Sequence, residues 1–296
     1  MKKIDLMIVG AQKAATTSLK NYLGEHPEIT THPQIEFDYF VRTKAFEAGY
    51  EEAFHKHFGD PALISPEGRL IAKNANMCTH RRAFERLKEH NPECLVVYLL
   101  RNPVDRAYSS YSMQKLYKER PPFPTVIDAI RSDDRDSYMY RQFVRLGLYS
   151  EFLKRMYEYF PKDSVIVHLF EDFKNDPSKL CNKIFEKLDV DPNFRPDLEK
   201  RHNQTRKARS RVFSTMLRSL RRQDNPLKNA AKAVLPPRLF GKIAVGLTEM
   251  NKSSKKVEPL DPETRKALAE FFVPFNEELE QLTGIDTGIW RKTRKN

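Results

Sequence analysis

GAQKAATTSL, Gly10 to Leu19, follows the apolar run Ile4 to Val9 and opens a stretch in which Leu19, Tyr22 and Leu23 recur at helical spacing. A strand that turns directly into a helix aims the N–H groups of the loop and first helical turn at one point, where the positive end of the helix dipole favours an anion. Lys13 adds a full charge, Thr16, Thr17 and Ser18 add hydroxyl donors, and Gly10 permits a tight exit from the strand. The pattern predicts a phosphate or sulfate site built from Gly10, Lys13, Ala14, Ala15, Thr16, Thr17 and Ser18. The other reading is an ordinary strand-to-helix turn capped by a threonine.

The loop is not the nucleoside-triphosphate version. That pattern ends in Gly-Lys-Ser/Thr, with the hydroxyl on magnesium, whereas here Lys13 comes three residues after Gly10. The next apolar β-branched run, Leu95 to Leu100, ends in Arg101 rather than in an aspartate able to hold magnesium. A kinase loses support on both counts.

Further out, Val165 to Phe170 reads as a third strand. Each of the three runs precedes a helical pattern: Thr16 to Leu23, Val104 to Tyr117, and a helix capped by Asp176 and Pro177 that carries Leu180, Ile184 and Leu188. Leu148 to Tyr159 adds a helix before the third strand, and strand-then-helix repetition implies a parallel sheet. Near the end, Asp261 and Pro262 start a helix with Leu268, Phe271, Phe272, Phe275, Leu279 and Leu282, and Gly284 stops it. Pro121 to Pro124 and Pro236 to Pro237 read as loop punctuation, so residues 1–296 are expected to form one domain.

A chain of 296 residues, 40% hydrophobic, can bury a large α/β core, which excludes a disordered or fibrous protein. The first apolar run is too short for a signal segment, and no run reaches the roughly 20 residues that span a bilayer. Cys78, Cys94 and Cys181 are odd in number and widely spaced, against a disulfide framework and a zinc set, and suit a reducing, cytoplasmic setting. The net charge of +12 is concentrated: between Lys200 and Lys256, sixteen Lys or Arg stand against Asp224 and Glu249, leaving the remainder slightly acidic. Such a segment is either a solvated basic surface or a lid that meets an anion.

Three other groups bear chemistry. In LLRNPVDRAYSSY, Leu99 to Tyr111, Arg101 leaves the sheet edge with its planar fork free and Ser109 follows one to two helical turns on, so the two can clasp a phosphate. Asn102 and Pro103 also fit a plain helix start, and Arg106 a brace. In HPQIEFDYF, His32 to Phe40, Glu36 sits among apolar and aromatic residues that can raise a carboxyl toward the range of a general base, although a loop glutamate also suits a surface charge. His55 and His57 would share one side of a strand, but no third ligand accompanies them, so no metal is expected.

These motifs together resemble the sulfotransferase family that uses 3′-phosphoadenosine 5′-phosphosulfate (PAPS), specifically its heparan-sulfate-type and bacterial members. Gly10 to Leu19 is similar to the family's G-x-x-K-[AG]-G-T-[ST]-[SA]-L loop for the 5′-phosphosulfate, with Ala15 in place of the usual glycine. Arg101 and Ser109 match R-[DN]-P-x-x-R-x-x-S-x-[YF], which holds the 3′-phosphate. Glu36 matches the glutamate of E-x-x-[FY]-F that deprotonates the acceptor, and Lys73 the lysine near the bridging region of the donor, though Asn74 and Ala75 depart from Ser and Pro. Arg206, Lys207 and Arg209 fall in the later loop that closes over the 3′-phosphate, and Tyr149 lies either near the adenine or in the core.

The resemblance implies a P-loop-type parallel α/β sheet flanked by helices, with residues 200–256 as a basic helical lid. It further implies in-line transfer of a sulfuryl group from PAPS to a hydroxyl or amine, with 3′-phosphoadenosine 5′-phosphate (PAP) as product. Glu36, Lys13 and Lys73 are the catalytic candidates. Asp38 and Val41 stand where heparan-type enzymes carry other residues, and a carboxylate there disfavours a densely anionic glycan. A neutral or cationic small molecule or carbohydrate is the expected acceptor, with no membrane or nucleic-acid partner. The rival classes are a non-catalytic binder of polyanions and a kinase acting on a small metabolite.

Overall fold

The structure, a computed structural model, describes residues 1–115, 119–198 and 258–291. Its strands are β1 (Leu6–Gly10), β2 (Ile29–Thr31), β3 (Arg69–Lys73), β4 (Leu95–Leu100) and β5 (Val165–Leu169). The helices used below are α1 (Thr16–Leu23), α2 (Thr43–Glu47), α3 (Tyr50–Phe58), α4 (Arg81–His90), α5 (Pro103–Lys115), α6 (Thr125–Arg131), α7 (Tyr149–Tyr159), α8 (Phe170–Asn175), α9 (Pro177–Leu188), α10 (Pro262–Thr283) and α11 (Gly288–Arg291).

The five strands form one parallel sheet in the order β2-β3-β1-β4-β5. All five residues of β1 are buried, as a central strand covered on both faces requires. From β1 the chain passes α1 to reach β2 at one edge, whereas from β3 it passes α4 to reach β4 in the opposite direction. Right-handed crossovers that run in opposite directions put their helices on opposite faces, so the loops after β1 and β4 diverge between neighbouring strands. Gly10, Lys73 and Leu100, the last residues of β1, β3 and β4, therefore share the sheet edge where such folds bind ligands.

Gly10 has a packing reason to be glycine: a Cβ there would stand 2.9 Å from the Tyr98 ring and 3.1 Å from Cys78 Sγ. A second apolar cluster, containing Val104, Phe123, Val126, Phe143, Leu268 and Phe272, joins α5, α6, a π-helical turn at Tyr140–Val144 and α10. The expected caps are present. Asp176 accepts from the N–H groups of Ser178 and Lys179, Asp261 accepts from that of Thr264, and Gly284 ends α10 at φ 71°. The three cysteines are buried and free. His55 and His57 lie on α3, not on a strand: His55 is exposed, while His57 is buried with its ring against the Gln34 side chain, so the two do not converge. Among the described residues no helix is long and apolar enough to cross a membrane.

Candidate active site

The loop after β1 is pinned at both ends. Ala11 N–H donates to Leu99 O at 2.7 Å and Ala14 N–H donates to Ala11 O at 3.1 Å. Lys13 and Ala15 take the left-handed conformation, φ 74° and 61°, on either side of Ala14, a geometry that gathers successive N–H groups into an anion-binding concavity. Ala15, not a threonine, occupies the cap position of α1; no side chain caps the helix and its first turn carries no acid. The positive end of α1 is thus met by neither a capping side chain nor a first-turn acid, with Thr16 and Ser18 buried and Thr17 half-buried beside it. The left-handed φ at Ala15 is one that glycine adopts without the strain a Cβ brings.

Arg101 leaves the end of β4 and donates through Nη1 to Lys13 O at 2.9 Å, while its guanidinium lies 4.9 Å from the centre of the Phe170 ring. The β4 residue therefore shapes the β1 loop. Lys13 Nζ rests 3.4 Å from Met113 Sδ, and burial together with the Arg101 charge lowers its pKa to about 8. Ser109 is half-buried on α5, and its neighbour Ser110 donates to Gln12 Oε1 at 3.0 Å, a second tie from α5 to the loop. Asn102 caps α5 through Oδ1, which accepts from the N–H groups of Val104 and Asp105.

Arg106 and Tyr149 are core residues. Arg106 is fully buried and donates to Phe143 O at 2.5 Å, so it ties α5 to the Tyr140–Val144 turn rather than to the loop after β4. Tyr149, 1% exposed, donates its hydroxyl to Arg101 O at 2.7 Å and packs against Tyr98 and Trp290. Of its two expected settings, the structure shows the core.

On the other side of the loop, the Glu36 segment crosses the end of β3, with Phe37 N–H donating to Lys73 O at 2.7 Å. Lys73 Nζ donates to Glu36 Oε1 at 2.9 Å and lies 3.3 Å from Thr17 Oγ1. The second carboxylate oxygen of Glu36 accepts from Ala75 N–H at 2.9 Å. Burial raises the pKa of Glu36 and neighbouring Asp38 adds to this, against the lowering effect of the Lys73 ammonium and the Ala75 N–H. Asp38 is itself engaged, by Asn74 Nδ2 at 2.9 Å and Arg42 Nε at 2.9 Å.

Sequence reasoning missed Lys20 and His32. Lys20 is 4% exposed on α1 and donates to His32 O at 2.5 Å and Gln34 O at 3.2 Å. The signal was present, since Thr16, Leu19, Lys20 and Leu23 form one helical stripe and all are buried. His32 accepts the Lys73 backbone N–H at Nε2, and burial with the nearby lysines lowers its pKa to about 2, so the ring is neutral. Arg206, Lys207 and Arg209, with the rest of 199–257, lie outside the described residues.

Comparison with known proteins decides the lineage: the family model described as the sulfotransferase domain matches residues 3–225. The chain belongs to the sulfotransferase domain family. Within that family it is 25% identical over 198 residues to the human bifunctional heparan sulfate N-deacetylase/N-sulfotransferase 3, an alignment covering 64% of this chain and 22% of that one. This sulfotransferase-family chain thus spans about a fifth of the length of such relatives. It is 26% identical over 286 residues to the human heparan sulfate glucosamine 3-O-sulfotransferase 6, covering 95% and 72% of the two chains. The crystal structure of a sulfotransferase from Alicyclobacillus acidocaldarius superposes with a TM-score of 0.66 at 23% identity, covering 99% of this chain and 100% of that one. That likeness shows the expected fold, the P-loop-type parallel sheet with flanking helices.

Proposed function

We propose that this protein transfers a sulfuryl group from PAPS to a hydroxyl or amine of a small-molecule or carbohydrate acceptor, with Glu36 as general base. The observation that carries the reading is the position of Lys73 Nζ, within reach of Glu36 Oε1 and Thr17 Oγ1 at once, which joins a half-buried carboxylate to the uncapped start of α1. The residues fit such a donor. The uncapped start of α1, the left-handed turns at Lys13 and Ala15, and the absence of an acid in the first turn suit a 5′-phosphosulfate. Arg101 and Ser109 are assigned to the 3′-phosphate, and the basic residues of 200–256, Arg206 and Lys207 among them, to attraction of the anionic donor.

In this scheme Glu36 takes the acceptor proton as the acceptor oxygen or nitrogen bonds to sulfur, and the bond from sulfur to the 5′-phosphate oxygen breaks to release PAP. PAPS supplies an activated sulfuryl group on a good leaving phosphate. Lys13 and the loop N–H groups neutralise charge that grows on that phosphate, and Lys73 holds the base against it. The Asp38 carboxylate beside Glu36 favours a neutral or cationic acceptor over a polyanion. Transfer of label from [35S]PAPS across a panel of hydroxyl and amine acceptors tests the reaction. Label must appear in an acceptor together with PAP, and failure throughout the panel and with water would refute it.

A further inference from the structure

The buried ammonium of Lys20 is the feature that the proposed reaction leaves unexplained. A buried lysine is costly unless it is hydrogen-bonded and its charge is used. Lys20 is engaged by the His32 and Gln34 carbonyls rather than by a carboxylate. These carbonyls belong to the segment that delivers Glu36, four residues after His32 and two after Gln34. Lys20 in turn stands one turn along α1 from Thr16 and Thr17, so a single side chain fastens the phosphate-loop helix to the base-bearing segment.

The same segment is fixed from a second side, by Lys73 N–H donating to the neutral His32 ring. Glu36 is thus held by two lysines that differ in kind: Lys73 bonds its carboxylate directly, while Lys20 bonds the backbone on which it is carried. The two ammoniums are close enough to repel, and Glu36 is the anion that relieves both.

We infer that Lys20 is a positioning residue for Glu36, holding the base-bearing segment against the donor-binding helix through the His32 and Gln34 carbonyls. This rests on the reading of Glu36 as the base. The groups that face Glu36 are Lys73 from β3, Asp38 from its own segment and the Ala75 N–H, while Lys20 feels Lys73, Glu36 and His32, with His57 of α3 beyond. Burial and Lys73 lower the pKa of Lys20 to about 8, so its charge is present at neutral pH.

The test compares Lys20→Met with Lys20→Arg by three readouts: PAP affinity by calorimetry, the midpoint of the Glu36 carboxyl in 13C-detected NMR titration, and release of PAP from PAPS with water as acceptor. Lys20→Met is expected to leave PAP affinity within about threefold, to move the Glu36 midpoint upward, and to lower turnover by about 10²-fold, the cost of misplacing a reacting group by about 1 Å. Lys20→Arg should restore the Glu36 midpoint. Unchanged midpoint and turnover in Lys20→Met would overturn the inference, as would loss of PAP affinity and thermal stability with no movement of the midpoint, which marks a structural role only. If wild-type protein neither binds PAP nor releases it from PAPS, the reading of the reaction itself fails, a result the NMR midpoint does not depend on.

Discussion

Lys73 Nζ lies 2.9 Å from Glu36 Oε1 and is 1% exposed, so the candidate base is tied to the end of β3 by an ammonium that water barely reaches. The same nitrogen is 3.3 Å from Thr17 Oγ1. The candidate base and the start of α1, separate in sequence, are therefore joined through one nitrogen, and the expected behaviour of variants follows from that.

Glu36→Gln keeps the shape and the Ala75 contact but removes the proton acceptor. Turnover should fall by about 10² to 10⁴-fold, the usual worth of a positioned general base, while PAP affinity changes less than about threefold. Steady-state rates and calorimetry on the same preparation separate the two; loss of both would remove Glu36 from the role.

The acid limb of kcat/KM should follow Glu36. Activity needs the ionised carboxylate, and burial raises its pKa, so the rate should rise with pH through a midpoint above the ordinary carboxyl range. Lys73→Met removes the main opposing influence, and the limb should move to higher pH as the overall rate drops. A limb that stays in place would show that Lys73 does not act on Glu36.

Lys13 gives the alkaline side. Its free-state pKa is lowered to about 8, and an anion binds the charged form, so PAP affinity should be flat below that pH and weaken above it. Binding near pH 8 should take up a proton, seen as a dependence of calorimetric heat on the ionisation enthalpy of the buffer. Lys13→Met should bind weakly and lose most of this dependence.

Ala15 holds φ 61° at a cost that a glycine avoids, about 1 kcal/mol. Ala15→Gly should raise the melting temperature by a few degrees, and scanning calorimetry would show it. A drop would mean that the Ala15 methyl, which packs against the main core, outweighs the backbone strain.

The sheet was legible where its strands are continuous β-branched runs: β4 was expected at its observed bounds, and β1 and β5 within a residue or two. The short β2 and the β3 sequence RLIAK gave no comparable signal, because three to five residues of mixed character acquire strand identity only from their neighbours in the sheet. Helices with strong caps, α9 and α10, were readable from Asp176-Pro177 and Asp261-Pro262. The strand-to-helix turn that carries the candidate anion loop was legible because its residues are contiguous. The Glu36 to Lys73 contact was not, since it spans 37 positions and depends on where β3 lies beside β1. Lys20 was overlooked because a lysine on a helix reads as solvated, although its place on the buried stripe of α1 marks it out.

The most direct test of the central claim is calorimetric titration of wild-type protein and Arg101→Ala with PAP, AMP and ATP in the absence of magnesium. PAP should bind the wild type at least tenfold more tightly than AMP or ATP, and Arg101→Ala should erase that preference, since a charge-assisted contact to phosphate is worth about 1.5–3 kcal/mol. Equal binding of AMP and PAP by the wild type, or a preference for PAP that survives the loss of Arg101, would contradict the assignment of this loop pair to a 3′-phosphorylated donor.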